Sequence, residues 1–339
     1  MFWSSITRKT TAVSALTGLL LISACGNVTT GGNGNNGDDN GEDYPTQAIR
    51  LTVGQDAGGS TDLIARAVAN GSQGVWGVPM TVENQPGANG AIATQEVANR
   101  NPDGYELVLL NASLITITSM VVPESEQVTL DDLDIIAGLS QDDYILIANA
   151  DSELDTLDDM LNADRTIDFG TTGVGTAAQL AMLVLIAETG IDGNEVPFDS
   201  GSPALTAVMG NQVEVATVQV GEAMPQIEAG TVKPILLFSD DRIDYLPDVP
   251  TAVEEGYDVP VSQYRALAMP AGAPDHVLET LEEGLQEIFA TEDYQQFNED
   301  NFLTPHEISG EQVREEWTDL AEHYAQLVDE HGINLGGDN

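Results

Sequence analysis

Residues 53–66, VGQDAGGSTDLIAR, decide the reading of this chain. Val53 ends an apolar, strand-like run that begins at Ile49. The glycines then give a turn, and a helix opens at Ser60 or Thr61. Such a helix start leaves backbone N–H groups without partners at the positive end of the helix dipole, so it is an anion site by construction. Gly58 and Gly59 lack Cβ, which lets a ligand approach the backbone. Ser60 and Thr61 add a cap and hydroxyl donors. Residues 167–179, IDFGTTGVGTAAQ, repeat the device of strand, glycine turn and helix start. The expectation is that the two loops face each other across a cleft and hold an organic anion.

Working outward, strands and helices alternate. Strands are expected at 49–53, 81–84 and 106–110, with helices at 62–73 and 91–99 between them. Further strands are expected at 134–139 and 144–148, then a second series with strands at 166–170, 195–198, 213–218 and 233–238. Helices are expected at 157–162, 177–188, 204–209 and 223–229. This order implies a mainly parallel sheet covered on both faces, with ligands beyond the carboxyl ends of the strands. Both glycine loops lie there, and so does the segment 111–113, which brings Ser113 into the candidate site. The segment 264–269 is expected to recross to the first lobe. The C-terminal helices, 274–290 and one starting at Ser309 with Gln312 as capping-box partner, then pack there.

The length of 339 residues suggests two lobes rather than one core. The chain carries 10 basic and 56 acidic residues, a net charge of −46, which makes nucleic acid a poor partner. Acidic residues spread along the whole chain suit a solvated surface in high salt, where self-repulsion is screened. A single cysteine, Cys25, excludes a disulfide framework and a cysteine-rich metal site. The histidines, at 276, 306, 323 and 331, lie far in sequence from both loops. No cofactor and no metal are expected.

Residues 1–24 read as a secretory signal, with Arg8 and Lys9 before the apolar run 12–22. That run is too short for a comfortable membrane span. Apolar and small residues directly before Cys25 resemble a bacterial lipobox, which would make Cys25 the lipidated first residue of the mature chain. Removing 1–24 takes two basic residues and no acid, leaving 8 basic and 56 acidic residues, a net of −48. Residues 25–43, rich in Gly, Asn and Asp, read as a flexible tether.

An ordered set of short motifs now resembles the receptors of tripartite tricarboxylate transporters, the Bug or TctC family. It runs from Tyr44-Pro45 and the first loop through residues 83–88 (ENQPGA) and 102–105 (PDGY). It continues through the second loop, 196–198 (VPF) with 201–205 (GSPAL), 246–251 (LPDVPT) and 270–274 (PAGAP). The resemblance implies a type II periplasmic-binding-protein fold of two α/β lobes with the ligand cleft between them. It puts lobe I at 45–146 with 263–339, and lobe II at 147–262. It implies a monomeric, non-enzymatic extracytoplasmic receptor, here held to the membrane by a lipid on Cys25, that hands a small carboxylate to a membrane permease. The implied ligand positions are Ala57, Gly58, Gly59, Ser60, Thr61 and Asp62 in the first loop, and Thr172, Gly173, Val174, Gly175 and Thr176 in the second. The chain departs from the family pattern at Gln55-Asp56, Asp199 and Gln219. Asp56 and Asp199 at the mouth either disfavour a polyanion or are surface changes of an acidic protein; Asp199 is kept as a candidate ligand residue.

Three rival readings exist. Residues 173–178 (GVGTAA) fit G-x-G-x-x-A, with Asp192 some way downstream, so an extracytoplasmic dinucleotide-dependent enzyme is the alternative. The acidic pairs at 131–132, 142–143 and 240–241 could hold calcium, yet they lack the twelve-residue loop and read as a solvated face. A purely structural surface lipoprotein is the third. Within the receptor reading, no basic residue falls inside either loop; the donors on offer are backbone N–H groups, the hydroxyls of Ser60, Thr61, Thr172 and Thr176, and two helix dipoles, with Arg66 and Arg265 left as side chains able to swing in. One carboxylate per loop gives a ligand with two acid groups, or with one acid group and a polar end.

The charge predicts that the fold needs salt. Screening shortens the reach of repulsion from about 10 Å at 0.1 M to about 3 Å at 1 M. The melting temperature should rise across that range, and a flat or falling curve contradicts the reading.

Overall fold

The computed structural model describes residues 44–336; Cys25, the signal 1–24 and the tether 25–43 lie outside the described residues. Strand β1 (Ile49–Val53) leads through the first glycine loop into α1 (Ser60–Val75), and β2 (Met80–Asn84) follows. Next come α2 (Ala91–Ala98), β3 (Glu106–Asn111) and the short α3 (Ala112–Thr116). The long β4 (Leu133–Asn149) opens the second half, followed by α4 (Leu157–Leu161) and β5 (Ile167–Thr171). The second glycine loop then leads into α5 (Ala177–Thr189). After these come β6 (Gly193–Pro197), α6 (Gly201–Met209), β7 (Val215–Gln219), α7 (Val220–Glu228) and β8 (Val232–Leu237). The chain returns through β9 (Ser262–Pro270) and ends in α8 (Asp275–Phe289), α9 (Glu292–Asp300) and α10 (Gly310–His331).

The strands lie in the order β2-β1-β3-β9-β4-β7-β5-β6, with β8 also on β4. The expected mainly parallel sheet is therefore corrected. β1 pairs in parallel with β2 and β3, and β5 with β6 and β7. β9 and β4, however, run antiparallel to every strand they pair with. The reason is topological: these two strands carry the chain between the two halves instead of belonging to a βαβ unit. The two strands expected at 134–139 and 144–148 are likewise one continuous β4. Its first part, Leu133–Asp143, pairs with β9, and its last part, Tyr144–Asn149, with β7 and β8. Within the stretch paired with β9 the register shifts after Ile135 and again after Gly138.

Side-chain alternation along β4 feeds four apolar clusters. Ile136 joins β1, α1 and α8, while its neighbour Ile135 joins β3, β9 and Trp317 on the other face. Beyond the change of partners, Leu146 joins α5, and Ile145 joins α6 and α7. Each half of the sheet is thus covered on both faces, which gives two α/β lobes. The apolar stripe of α10 serves both lobes. Val313 and Trp317 pack beside β3 and β9, whereas Tyr324 and Leu327 pack beside α5. Ser309 and Gln312 form the expected capping box. Helix α9 had no expectation, because its sequence EDYQQFNED is almost wholly polar.

The two glycine loops are fixed by the same bond. Gly58 N–H donates to Asp62 Oδ2 at 2.9 Å, and Gly175 N–H donates to Gln179 Oε1 at 2.8 Å, in each case four residues on. In the first loop Asp62 also accepts from Arg66 Nε (2.9 Å) and Asn84 Nδ2 (2.9 Å). Asn84 Nδ2 also donates to the backbone oxygen of Gln55, which ties the loop to the end of β2. Burial alone would raise the Asp62 pKa, but these donors and the Arg66 charge outweigh it and hold it below the ordinary 3.8.

A lowered folded-state pKa stabilises the protein above the unfolded value near 3.8, and that stabilisation is lost as pH falls through the folded value. Asp62→Asn should therefore destabilise the fold at neutral pH by about 1.5 kcal/mol, the worth of a hydrogen bond to a charged group. Urea titrations of both proteins should converge as pH falls below about 4. A gap unchanged from about pH 7 to about pH 2.5 contradicts this role.

Candidate functional site

Residues at the carboxyl ends of β1, β3, β5 and β7 surround one cavity of about 530 Å³. Gln55, Asn111, Thr172 and Gln219 reach it from those strand ends. The starts of α1, α5, α6 and α7 also converge there, with Ser60, Thr176, Gly201 and Gln219 on the wall. The positive ends of the helix dipoles therefore meet around one space. Among the described residues the wall holds no Lys, Arg or His, but it does hold Asp56, Asp199 and Glu222.

Of the expected ligand residues, Gly59, Ser60, Thr61, Thr172, Gly173, Val174, Thr176 and Asp199 line the cavity. Ala57, Gly58, Asp62, Ser113 and Gly175 lie off it. Asp62 is turned into its own loop by the bonds described above. Ser113 accepts from Asn89 Nδ2 at 3.0 Å. Gly175 is turned toward the other lobe: its carbonyl accepts from Thr118 Oγ1 (2.9 Å) and Asn89 Nδ2 (3.4 Å). With its N–H given to Gln179, Gly175 is not open to the close phosphate approach that the dinucleotide fingerprint requires.

The donors left on the wall are mostly backbone. No hydrogen-bond partner exists among the described residues for the N–H groups of Thr172, Gly173, Val174 and Thr176. The second-loop hydroxyls are already committed: Thr172 donates to Thr176 (3.1 Å) and Thr176 to the Gly173 carbonyl (2.7 Å). In the first loop the N–H of Ser60 is taken by Glu222 Oε1, at 3.4 Å.

The floor is organised by Arg265, which is 1% exposed. Its Nε donates to Thr61 Oγ1 (2.9 Å), Nη2 to Gln219 Oε1 (2.7 Å) and Nη1 to Ser140 Oγ (3.0 Å). Nη1 also pairs with the buried Asp142 carboxylate. Beside it Tyr144 donates to Gln263 Oε1 at 3.2 Å. Burial pushes the Tyr144 hydroxyl far up, so it stays neutral.

Sequence reading missed Asn89, Tyr144, Glu222 and Gln263 on this wall. Glu222 had a usable signal, since it opens the helix that follows the end of β7, the same strand-to-helix position as the loops. Tyr144 and Gln263 sit on the crossing strands, where no local pattern marks a ligand-facing side chain. Glu222 keeps some contact with the open cleft yet is closely surrounded by protein. Burial raises its carboxyl pKa, opposed by the Ser60 N–H and the Arg265 charge.

A sequence profile described as tripartite tricarboxylate transporter family receptor matches residues 64–333. A UPF0065 protein of Agrobacterium vitis is 31% identical over 250 residues, covering 72% of each chain. The structure of the periplasmic binding protein BugD superposes with a TM-score of 0.79 at 27% identity, over 86% of this chain and 99% of BugD. The fold is also that of MatC from Rhodopseudomonas palustris, solved with bound malate. There the TM-score is 0.78 at 23% identity, over 84% of this chain and 100% of MatC. These relationships lend no support to the dinucleotide-dependent enzyme. The chain belongs to the family of tripartite tricarboxylate transporter receptors, with the two-lobed α/β fold of periplasmic binding proteins.

Proposed function

We propose that this protein is an extracytoplasmic receptor that captures a small organic carboxylate between its two glycine loops and delivers it to a tripartite tricarboxylate-type permease. It works without catalysis or a cofactor, as a monomer, and is held at the membrane by a lipid on Cys25. The observation that carries the reading is the set of four N–H groups without partners among the described residues, those of Thr172, Gly173, Val174 and Thr176, in residues that line a cavity ringed by helix starts. Backbone amides and helix ends favour an anion without any basic side chain. Two structural relatives, from Rhodopseudomonas palustris, were solved with malate and with adipate, both carboxylates.

In this reading lobe I comprises 45–146 with 263–339, and lobe II comprises 147–262. The change of partners along β4 near Tyr144 and the start of β9 at Ser262 support the division. A ligand that touches both loops binds the closed arrangement better than an open one, so capture and closure are coupled.

The test is a thermal-shift screen of mono-, di- and tricarboxylates in high salt. A ligand at a hundred times its Kd adds about 2.7 kcal/mol of apparent stability. Gly59→Leu and Thr172→Leu place apolar bulk on the cavity wall. Both should remain folded by circular dichroism and lose most of the shift. If no carboxylate raises the melting temperature, or if both variants respond as the wild type does, the reading fails. The anchor is tested separately by Cys25→Ala, which should move the protein from the membrane fraction to the soluble one. A variant that stays with membranes contradicts the anchor.

A further inference from the structure

We propose that Glu222 makes the first-loop side of the cleft a site for a positively charged group, so that the ligand is a carboxylate carrying an ammonium rather than a dicarboxylate. This rests on the carboxylate reading above and specifies the other end of the ligand.

The two sides of the cavity are not equivalent. The second loop offers four unpartnered backbone N–H groups. On the first loop the N–H groups of Gly59 and Thr61 have no partner among the described residues, but the Ser60 N–H between them bonds to Glu222 Oε1 at 3.4 Å. The Glu222 carboxylate is wedged between two glycines. A Cβ at Gly201 would collide with Glu222 Oε2, and a Cβ at Gly59 would stand 3.2 Å from Glu222 Oε1. The protein's own carboxyl group therefore stands at the first helix start and already takes one of its N–H groups.

Asp56 stands at the rim on the same side. The nearest positive charge, Arg265, is already bonded to Asp142, Gln219, Ser140 and Thr61, so it is not available to neutralise a second ligand carboxylate. Burial disfavours the charged form of Glu222; a ligand carboxylate beside it would disfavour that form further, whereas an ammonium would favour it and meet opposite charge.

Calorimetry on the folded mature protein in high salt decides this. The probes are matched pairs of ω-amino acids and α,ω-dicarboxylates with two to five methylene groups, such as 4-aminobutyrate against glutarate. Wild type should bind the amino acid of at least one pair tenfold or more tightly than its dicarboxylate. Glu222→Gln, shown folded by circular dichroism, should shrink that ratio at least tenfold or invert it. If dicarboxylates bind as well as or better than their partners at every length, the inference falls and the carboxylate reading stands. An undiminished preference in Glu222→Gln also overturns it. If neither member of any pair binds, the carboxylate reading fails together with the inference.

Discussion

The Arg265–Asp142 pair is the contact on which the rest of the cleft depends. It joins the two crossing strands where they leave one lobe for the other, and both partners are buried. Taking two charges out of water is expensive, and it is tolerated only when the remaining donors and acceptors are satisfied. Here the guanidinium reaches Thr61 at the start of α1 and Gln219 at the end of β7. One side chain thus sets the spacing between a helix start of the first lobe and a strand end of the second. Removing either charge would strand the other in the interior, at a cost of about 3–5 kcal/mol.

The charge imbalance explains why the site is built from backbone. Each of the eight basic residues among the described residues faces a carboxylate: Arg50, Arg66, Arg100, Arg165, Lys233, Arg242, Arg265 and Arg314. Seven of these pairs are at least partly exposed, and such pairs contribute about 0–1 kcal/mol each. No basic side chain lines the cavity among the described residues. The positive potential there comes from helix starts, each worth up to about 2 kcal/mol when partly buried. In the proposed reading such a site recognises a carboxylate group and leaves the remainder of the ligand to the side chains around it, among them Glu222, Tyr144 and Gln263.

The parts of the fold legible in the sequence were those governed by local chemistry. Residues 49–53 form β1, and both glycine turns open helices, because short-range periodicity and missing Cβ atoms leave marks in the sequence. The capping box of α10 was legible for the same reason. The continuity of β4 was not, since Gln141 to Asp143 interrupt its apolar pattern with polar residues, of which Asp142 turns inward to Arg265. Helix α9 was hidden by its polarity: Tyr294 and Asn298 are its only buried residues. In the candidate site, the glycine loops were legible as stretches but not residue by residue. Whether Gly58 or Gly59 reaches the cavity depends on Asp62 claiming the Gly58 N–H, which is a tertiary outcome fixed by Arg66 and Asn84. Glu222 is one acid among 56 in the chain, and only its neighbours Gly59, Gly201 and Ser60 set it apart.

The central claim is that backbone amides of the second loop, in a cleft shared with the first, receive the carboxylate. Amide hydrogen exchange resolved to single residues, with and without a saturating carboxylate found by the screen, tests it most directly. The account predicts new protection at Thr172, Gly173, Val174 and Thr176, together with slower exchange at Gly59 and Thr61 as the lobes close. Protection confined to other surfaces, with the second-loop amides exchanging as fast as before, would contradict it.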